Sequence, residues 1–284
     1  VIQGPSFTRV GALPPASPVV ISVPHGGRDY PAVLRQALRV PLAAVLPLED
    51  RYIDTVARAA RTTETMIVQE RARAWIDLNR SEDERDPRVD EGALPRPLLH
   101  QSAKLRSGLG LVPRRASGGG DLWGRRFADV DVTRRIAEDH RPYHAALSQA
   151  LAAARATFGV AVLLDVHSMP PLGTPGSVAR IVLGDRFGHT AAARFVARLE
   201  AEGQAAGHTT ALNAPYAGGH ILERHADPAG GIHAIQLEFD RSLYLDRRLD
   251  APGAGFAGVA ALLRRMLAAL ADEALAAPMA AAAE

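Results

Sequence analysis

Short apolar runs bounded by turn residues recur along this chain, and stretches of helical periodicity separate them. Pro18-Val19-Val20-Ile21-Ser22-Val23, Thr65–Gln69, Val160–Val166, Ala179–Asp185 and His233–Arg241 each read as a strand, and Arg73–Arg80 alternates like another. Runs such as Val160-Ala161-Val162-Leu163-Leu164 have no polar alternation, the mark of strands covered on both faces in a parallel sheet. Between them, helices are predicted from Leu46 to about Arg61, with Glu49 and Asp50 in the first turn, and over Asp131–Ala154, kinked at Pro142. Further helices are predicted over Thr190–Ala206 and residues 254–276. Residues 81–122 read as loop, and a stretch that long suggests a lid or binding loop. The pattern predicts an α/β fold as one domain over 1–284, with an irregular lead-in at 1–17 and a frayed Ala-rich tail at 278–284.

Composition narrows the function. The 284 residues are 47% apolar and 23% charged, ordinary for a globular protein. Lys and Arg number 33 against 31 Asp and Glu, and aromatics are only 5%, so nucleic-acid binding has little support. Cysteine is absent, so a metal would have to be held by histidine and carboxylate. No apolar run reaches about 18 residues, so no membrane span is expected. No charged segment leading into an apolar stretch opens the chain, and a cytoplasmic enzyme is the expectation.

The predicted strands end in chemistry: His25 before Gly26-Gly27, Asn79-Arg80, Asp165 and His167, and Glu238. In a mostly parallel sheet such ends converge on one edge, where open α/β sheets bind ligands. Two histidines and a carboxylate from Glu49 or Asp50 would make a three-ligand metal site with a position open for water. Glu238 then stands as general base, and Arg80 with Asn79 as a carboxylate clamp. Asp165 lies one pleat deeper than His167, so it is expected to orient a ligand or an arginine and not to touch the metal. The glycine-rich stretches at 108–110 and 117–120 lack the Gly-Lys-Ser/Thr ending of a phosphate loop, and no Gly-x-Gly-x-x-Gly follows a strand.

These residues carry a resemblance. Ser22–Gly27, Glu49–Asp54, Ile76–Arg80, Arg141-Pro142-Tyr143-His144, Asp165–Pro170, Asn213–Gly219 and Gln236–Tyr244 resemble, in order, the blocks of the N-formylglutamate amidohydrolase family. The resemblance implies a three-layer α/β/α fold around a mostly parallel mixed sheet, related to the zinc metallocarboxypeptidases. It implies one zinc ion on His25, Asp50 and His167, with Glu49 in reserve, and release of formate from N-formyl-L-glutamate in histidine degradation. In the peptidases an acidic ligand follows the first histidine by three; Arg28 stands there, so the acidic ligand comes from elsewhere. Glu238 resembles the catalytic glutamate and Asn79-Arg80 the pair that grips substrate carboxylate. Gly218, Gly219 and His144 are expected near the substrate, and Arg241, Arg141 and Arg28 compete for its second carboxylate. His220 and Trp123 depart from the family's usual residues. The substrate expected is a small acidic N-acyl amino acid; another N-acyl amino acid, a short acidic peptide, or a binding module without turnover are the alternatives. Neither the native metal nor the oligomeric state follows from the sequence.

Overall fold

The structure, a computed structural model, describes residues 5–95, 97, 101–116, 119–173 and 178–276. The expected frayed tail at 278–284 and Ser117-Gly118 of the glycine-rich loop lie outside these. The strands are β1 (Phe7–Val10), β2 (Val19–Val23), β3 (Thr65–Gln69), β4 (Ala161–Met169), β5 (Ile181–Gly184), β6 (Thr210–Leu212) and β7 (Ile232–Asp240). They form one mixed sheet in the order β1-β3-β2-β4-β7-β5-β6. The central four are parallel, β1 and β5 run antiparallel to β3 and β7, and β6 runs parallel to β5. The strands without polar alternation are the central ones, because both of their faces are covered.

The helices are α1 (Ala32–Ala37), α2 (Ile53–Ala60), α3 (Ala103–Arg106), α4 (Asp129–Arg135), α5 (Arg141–Phe158), α6 (Ala193–Ala205), α7 (His220–His225) and α8 (Phe256–Leu275). One face of the sheet packs Val19, Ile21, Val162, Leu164 and Leu237 under α2, α6 and α8. The other packs Val20, Leu163 and Ala234 against a core that includes Leu147 and Leu151 of α5. The layers are therefore α/β/α, as expected. Among the described residues, no helix is long and apolar enough to cross a membrane.

The α5 face changes character along the strands. Val20, Leu163 and Ala234 form one apolar row across β2, β4 and β7. Two residues further on comes Ser22, Asp165 and Gln236, and beyond that His167 beside Glu238. The period of two that keeps side chains on one face carries the sheet from core to chemistry within three rows.

Four expectations need correcting. Phe7–Val10 of the supposed irregular lead-in is an edge strand on β3. Arg73–Arg80 is not a strand: Trp75 N–H bonds back to Ala72 and Arg80 N–H to Asp77, which are turns. Its alternation reflects burial of Ile76 and Leu78, but Asp77 and Asn79 are buried too, each held by side-chain hydrogen bonds. Glu49 and Asp50 precede α2 and do not sit in its first turn, because Tyr52 turns the chain at a φ of 57°. The helix predicted over Asp131–Ala154 spans α4, a π-turn at Ile136–His140 and α5. Pro142 has no N–H to offer the preceding turn, and Arg141 N–H reaches Ile136 instead.

Candidate active site

His25 follows β2, His167 lies in β4 and Glu238 in β7, three neighbouring parallel strands. The backbone N–H of Asp50 donates to the carbonyl of His25 (3.0 Å), which pins the Glu49-Asp50 segment to the end of β2. Asp50 thereby faces both histidines, its Oδ2 3.0 Å from His167 Nδ1 and 3.6 Å from His25 Nδ1. The donor atoms of His25, Asp50 and His167 lie within 4.8 Å of one another, and all three residues are buried. Glu49 turns away, to Tyr30 and Arg51.

Each histidine is held from behind by a carboxylate. Asp77 Oδ1 accepts from His25 Nε2 at 2.7 Å, and Asp165 Oδ2 from His167 Nε2 at 2.8 Å. A proton fixed on Nε2 leaves the Nδ1 lone pair for a metal, the usual support for a ligand imidazole. His25 Nδ1 is buried with no hydrogen-bond partner among the described residues, as a ligand atom would be. The residues therefore fit a divalent ion bound by nitrogen and oxygen. Asp165 also accepts from Ser22 Oγ (2.7 Å), on the side of His167 away from Asp50. That is the orienting position expected of it. Burial alone would push the Asp50 carboxyl up, but the hydrogen bonds and charges of His167 and His25 outweigh it and hold Asp50 well below the usual carboxylate range. Burial likewise works against charge on His167, yet Asp165 and Asp50 raise its pKa well above the ordinary value.

These groups open on a cavity of about 270 Å³ whose lining includes Arg73, Asn79, Arg80, Lys104, Tyr216, Gly218, Gly219, Glu238 and Arg241. Burial drives the Glu238 carboxyl up to about 7; the charge of His167 opposes this and that of Asp50 adds to it. Gln236 Nε2 donates to Glu238 Oε1 (2.9 Å) and fixes its rotamer. Arg80 spends Nε on the Leu109 carbonyl and one Nη on its neighbour's carbonyl, Asn79 O. Gly219 approaches Asn79 so closely that a Cβ there would lie 2.4 Å from its Oδ1.

Three of the expected substrate contacts sit elsewhere. Arg141 is on the surface, paired with Glu82 at 2.8 Å, because it starts α5 on the solvent side. Arg28 is paired with Asp54 and stacked on Tyr52. His144 is buried behind the Leu78–Arg80 turn, its Nε2 donating to the Leu78 carbonyl (3.0 Å). Arg241 does reach the cavity, but its guanidinium is engaged by Asp50 Oδ1 (3.0 Å) and Ser168 Oγ (3.2 Å), so it braces the Asp50 carboxylate. Trp123 is buried and gives its N–H to the Pro113 carbonyl, away from the cavity wall. Sequence reasoning missed Asp77, Arg73 and Lys104. An acidic residue inside the apolar Ala74–Leu78 stretch was the available sign of Asp77; Arg73 stood at the edge of a supposed strand and Lys104 in a stretch read as loop, and neither gave a sign.

The model of the N-formylglutamate amidohydrolase family matches residues 17–245. The N-formylglutamate deformylase of Pseudomonas putida is 31% identical over 236 residues, covering 81% of this chain and 82% of that protein. That of Pseudomonas aeruginosa is 31% identical over 267 residues, covering 91% and 93%. The crystal structure of N-formylglutamate amidohydrolase from Ralstonia eutropha JMP134 superposes with a TM-score of 0.84 at 32% identity, covering 94% of this chain and 97% of that one.

Proposed function

Because this chain belongs to the N-formylglutamate amidohydrolase family, we propose that it hydrolyses the formyl amide of N-formyl-L-glutamate to L-glutamate and formate. The observation that carries the reading is the convergence of His25, Asp50, His167 and Glu238 on one cation-lined cavity. A zinc ion held by His25, Asp50 and His167 would polarise the formyl carbonyl and lower the pKa of a water. Glu238 takes a proton from the attacking water and returns it to the departing amine nitrogen. A carboxyl raised to about 7 is suited to both halves of that task near neutral pH. Asp77 and Asp165 hold the imidazoles in the productive tautomer, and Arg241 holds Asp50.

Glutamate brings two carboxylates, and the cavity offers Arg80, Arg73 and Lys104. Arg73 is shared with Asp77 (2.8 Å), while the Lys104 ammonium stands 5.7 Å from the Tyr216 ring. Arg80 with Asn79 grips one carboxylate and Lys104 reaches for the other. A substrate panel tests this: N-formyl-L-glutamate should be turned over at least tenfold more efficiently than N-formyl-L-glutamine or N-acetyl-L-glutamate. Equal kcat/KM for the glutamine analogue would refute the second cationic contact, and preference for the acetyl compound would refute a formyl-sized site.

A further inference from the structure

We propose that His140, His144 and His220 form a second metal site, built for a divalent ion that favours imidazole, such as zinc or nickel, behind the substrate-binding wall. One nitrogen from each lies within 4.8 Å of the other two. His140 and His144 stand about one helical turn apart, which brings their rings together on one face, 4.4 Å between centroids and tilted by 47°. His220 opens α7 and meets them from across the cluster, 6.0 and 5.4 Å away.

The proton positions follow from the partners. Carbonyl oxygens only accept, so His140 Nε2 must donate to Arg80 O (2.8 Å) and His144 Nε2 to Leu78 O (3.0 Å). Both Nδ1 atoms therefore carry lone pairs. His140 is fully buried, yet its Nδ1 has no hydrogen-bond partner among the described residues, the nearest carboxylate oxygen being Glu82 Oε1 at 3.7 Å, and the buried His220 Nε2 has none among them either. Two unpaired buried imidazole nitrogens in one cluster are costly without a ligand. His144 Nδ1 accepts from His225 Nε2 (2.8 Å), and metal binding exchanges that hydrogen bond for a coordinate bond. Tetrahedral zinc–nitrogen bonds place nitrogens about 3.4 Å apart, so a pair within 4.8 Å has to close by at most about 1.4 Å.

The site would tie together three segments. His140 and His144 already hold the carbonyls on either side of Asn79, and His220 directly follows Gly218-Gly219. A metal there fixes the Asn79-Arg80 turn against the glycine loop without touching substrate. The proposal stands on these residues alone, independently of the reaction assigned to the main site.

Cobalt titration with metal analysis separates the two sites. Wild-type protein, stripped and refilled, should hold two equivalents, and His220→Asn should hold one. A variant with His25→Ala and His167→Ala should keep one equivalent, which adding His220→Asn removes. Refilling that site should raise the melting temperature, and His220→Asn should abolish the rise. One equivalent in wild type, or an unchanged count in His220→Asn, would overturn the proposal, whether or not the doubly substituted protein folds. Loss of activity on N-formylglutamate with two equivalents still bound would instead count against the proposed reaction.

Discussion

Asp77→Asn isolates the support behind His25. In the native site Oδ1 accepts from His25 Nε2 (2.7 Å) and from Asn79 N–H (2.9 Å), while Oδ2 meets Nε and Nη2 of Arg73, each at 2.8 Å. Arg73, with burial working against it, and His25 hold the Asp77 carboxyl well below the usual range, so the native partner is a full negative charge. Asparagine keeps an acceptor for His25 but removes the charge that makes its imidazole a strong donor to metal. It also sets an amide N–H against the Arg73 fork. Loss of such a carboxylate partner weakens metal binding about 10- to 100-fold, or about 1.4–2.7 kcal/mol. The assay is formate release across a series of buffered free-zinc concentrations, read as the zinc needed for half-maximal rate. That midpoint should move up by one to two decades, and Asp77→Ala should move it at least as far. An unchanged midpoint in both variants would refute the claim that Asp77 sets the His25 tautomer.

Other outcomes follow from the same geometry. Glu238→Gln should keep its zinc and lose about 10²- to 10⁴-fold in kcat, checked by metal analysis beside steady-state kinetics. Burial raises the Glu238 carboxyl to about 7 in the metal-free site, and a bound dication opposes that rise, so the acid limb of kcat/KM in the zinc-loaded enzyme should lie below pH 7; a limb at or above 7 in the pH–rate profile would contradict this. Gly219→Ala drives a Cβ into the Asn79 side chain and should raise KM about tenfold, ~1.4 kcal/mol, with a smaller effect on kcat. His225, held neutral chiefly by burial, has its pKa lowered to about 4. The unfolded state therefore takes the proton first. Metal-free protein should lose about 3 kcal/mol of stability as pH falls from 6.5 through 4, a loss that urea melts should find reduced in His225→Gln.

The candidate metal ligands were legible because they sit at or beside strands whose pattern is plain. His167 and Glu238 share a face through the period of two, and adjacency of β4 and β7 turned two remote positions into neighbours. The Glu49-Asp50 turn could be named but not resolved: the choice depends on the Asp50 N–H bond to His25 O and on Tyr30 taking Glu49, both long-range contacts. Arg141, within a block, and Arg28, just after one, had the right charge, yet each found a nearer carboxylate, Glu82 and Asp54. Arg73–Arg80 misled because side-chain polarity, not burial, alternated along a chain that was turning, and its order comes from Asp77 and Asn79 side chains in place of a ladder. His140 and His220 lie 80 positions apart, and nothing local announces that the π-turn before α5 and the start of α7 bring their rings together.

The central claim is that His25, Asp50 and His167 hold a metal on which deformylation by this chain depends. The most direct measurement is formate release from N-formyl-L-glutamate by protein stripped with a chelator, before and after zinc is returned. Stripped protein should be nearly inactive and zinc should restore it, while His25→Ala should stay inactive at the same zinc concentration. Full-rate formate release by the stripped protein, or by His25→Ala, would contradict the account.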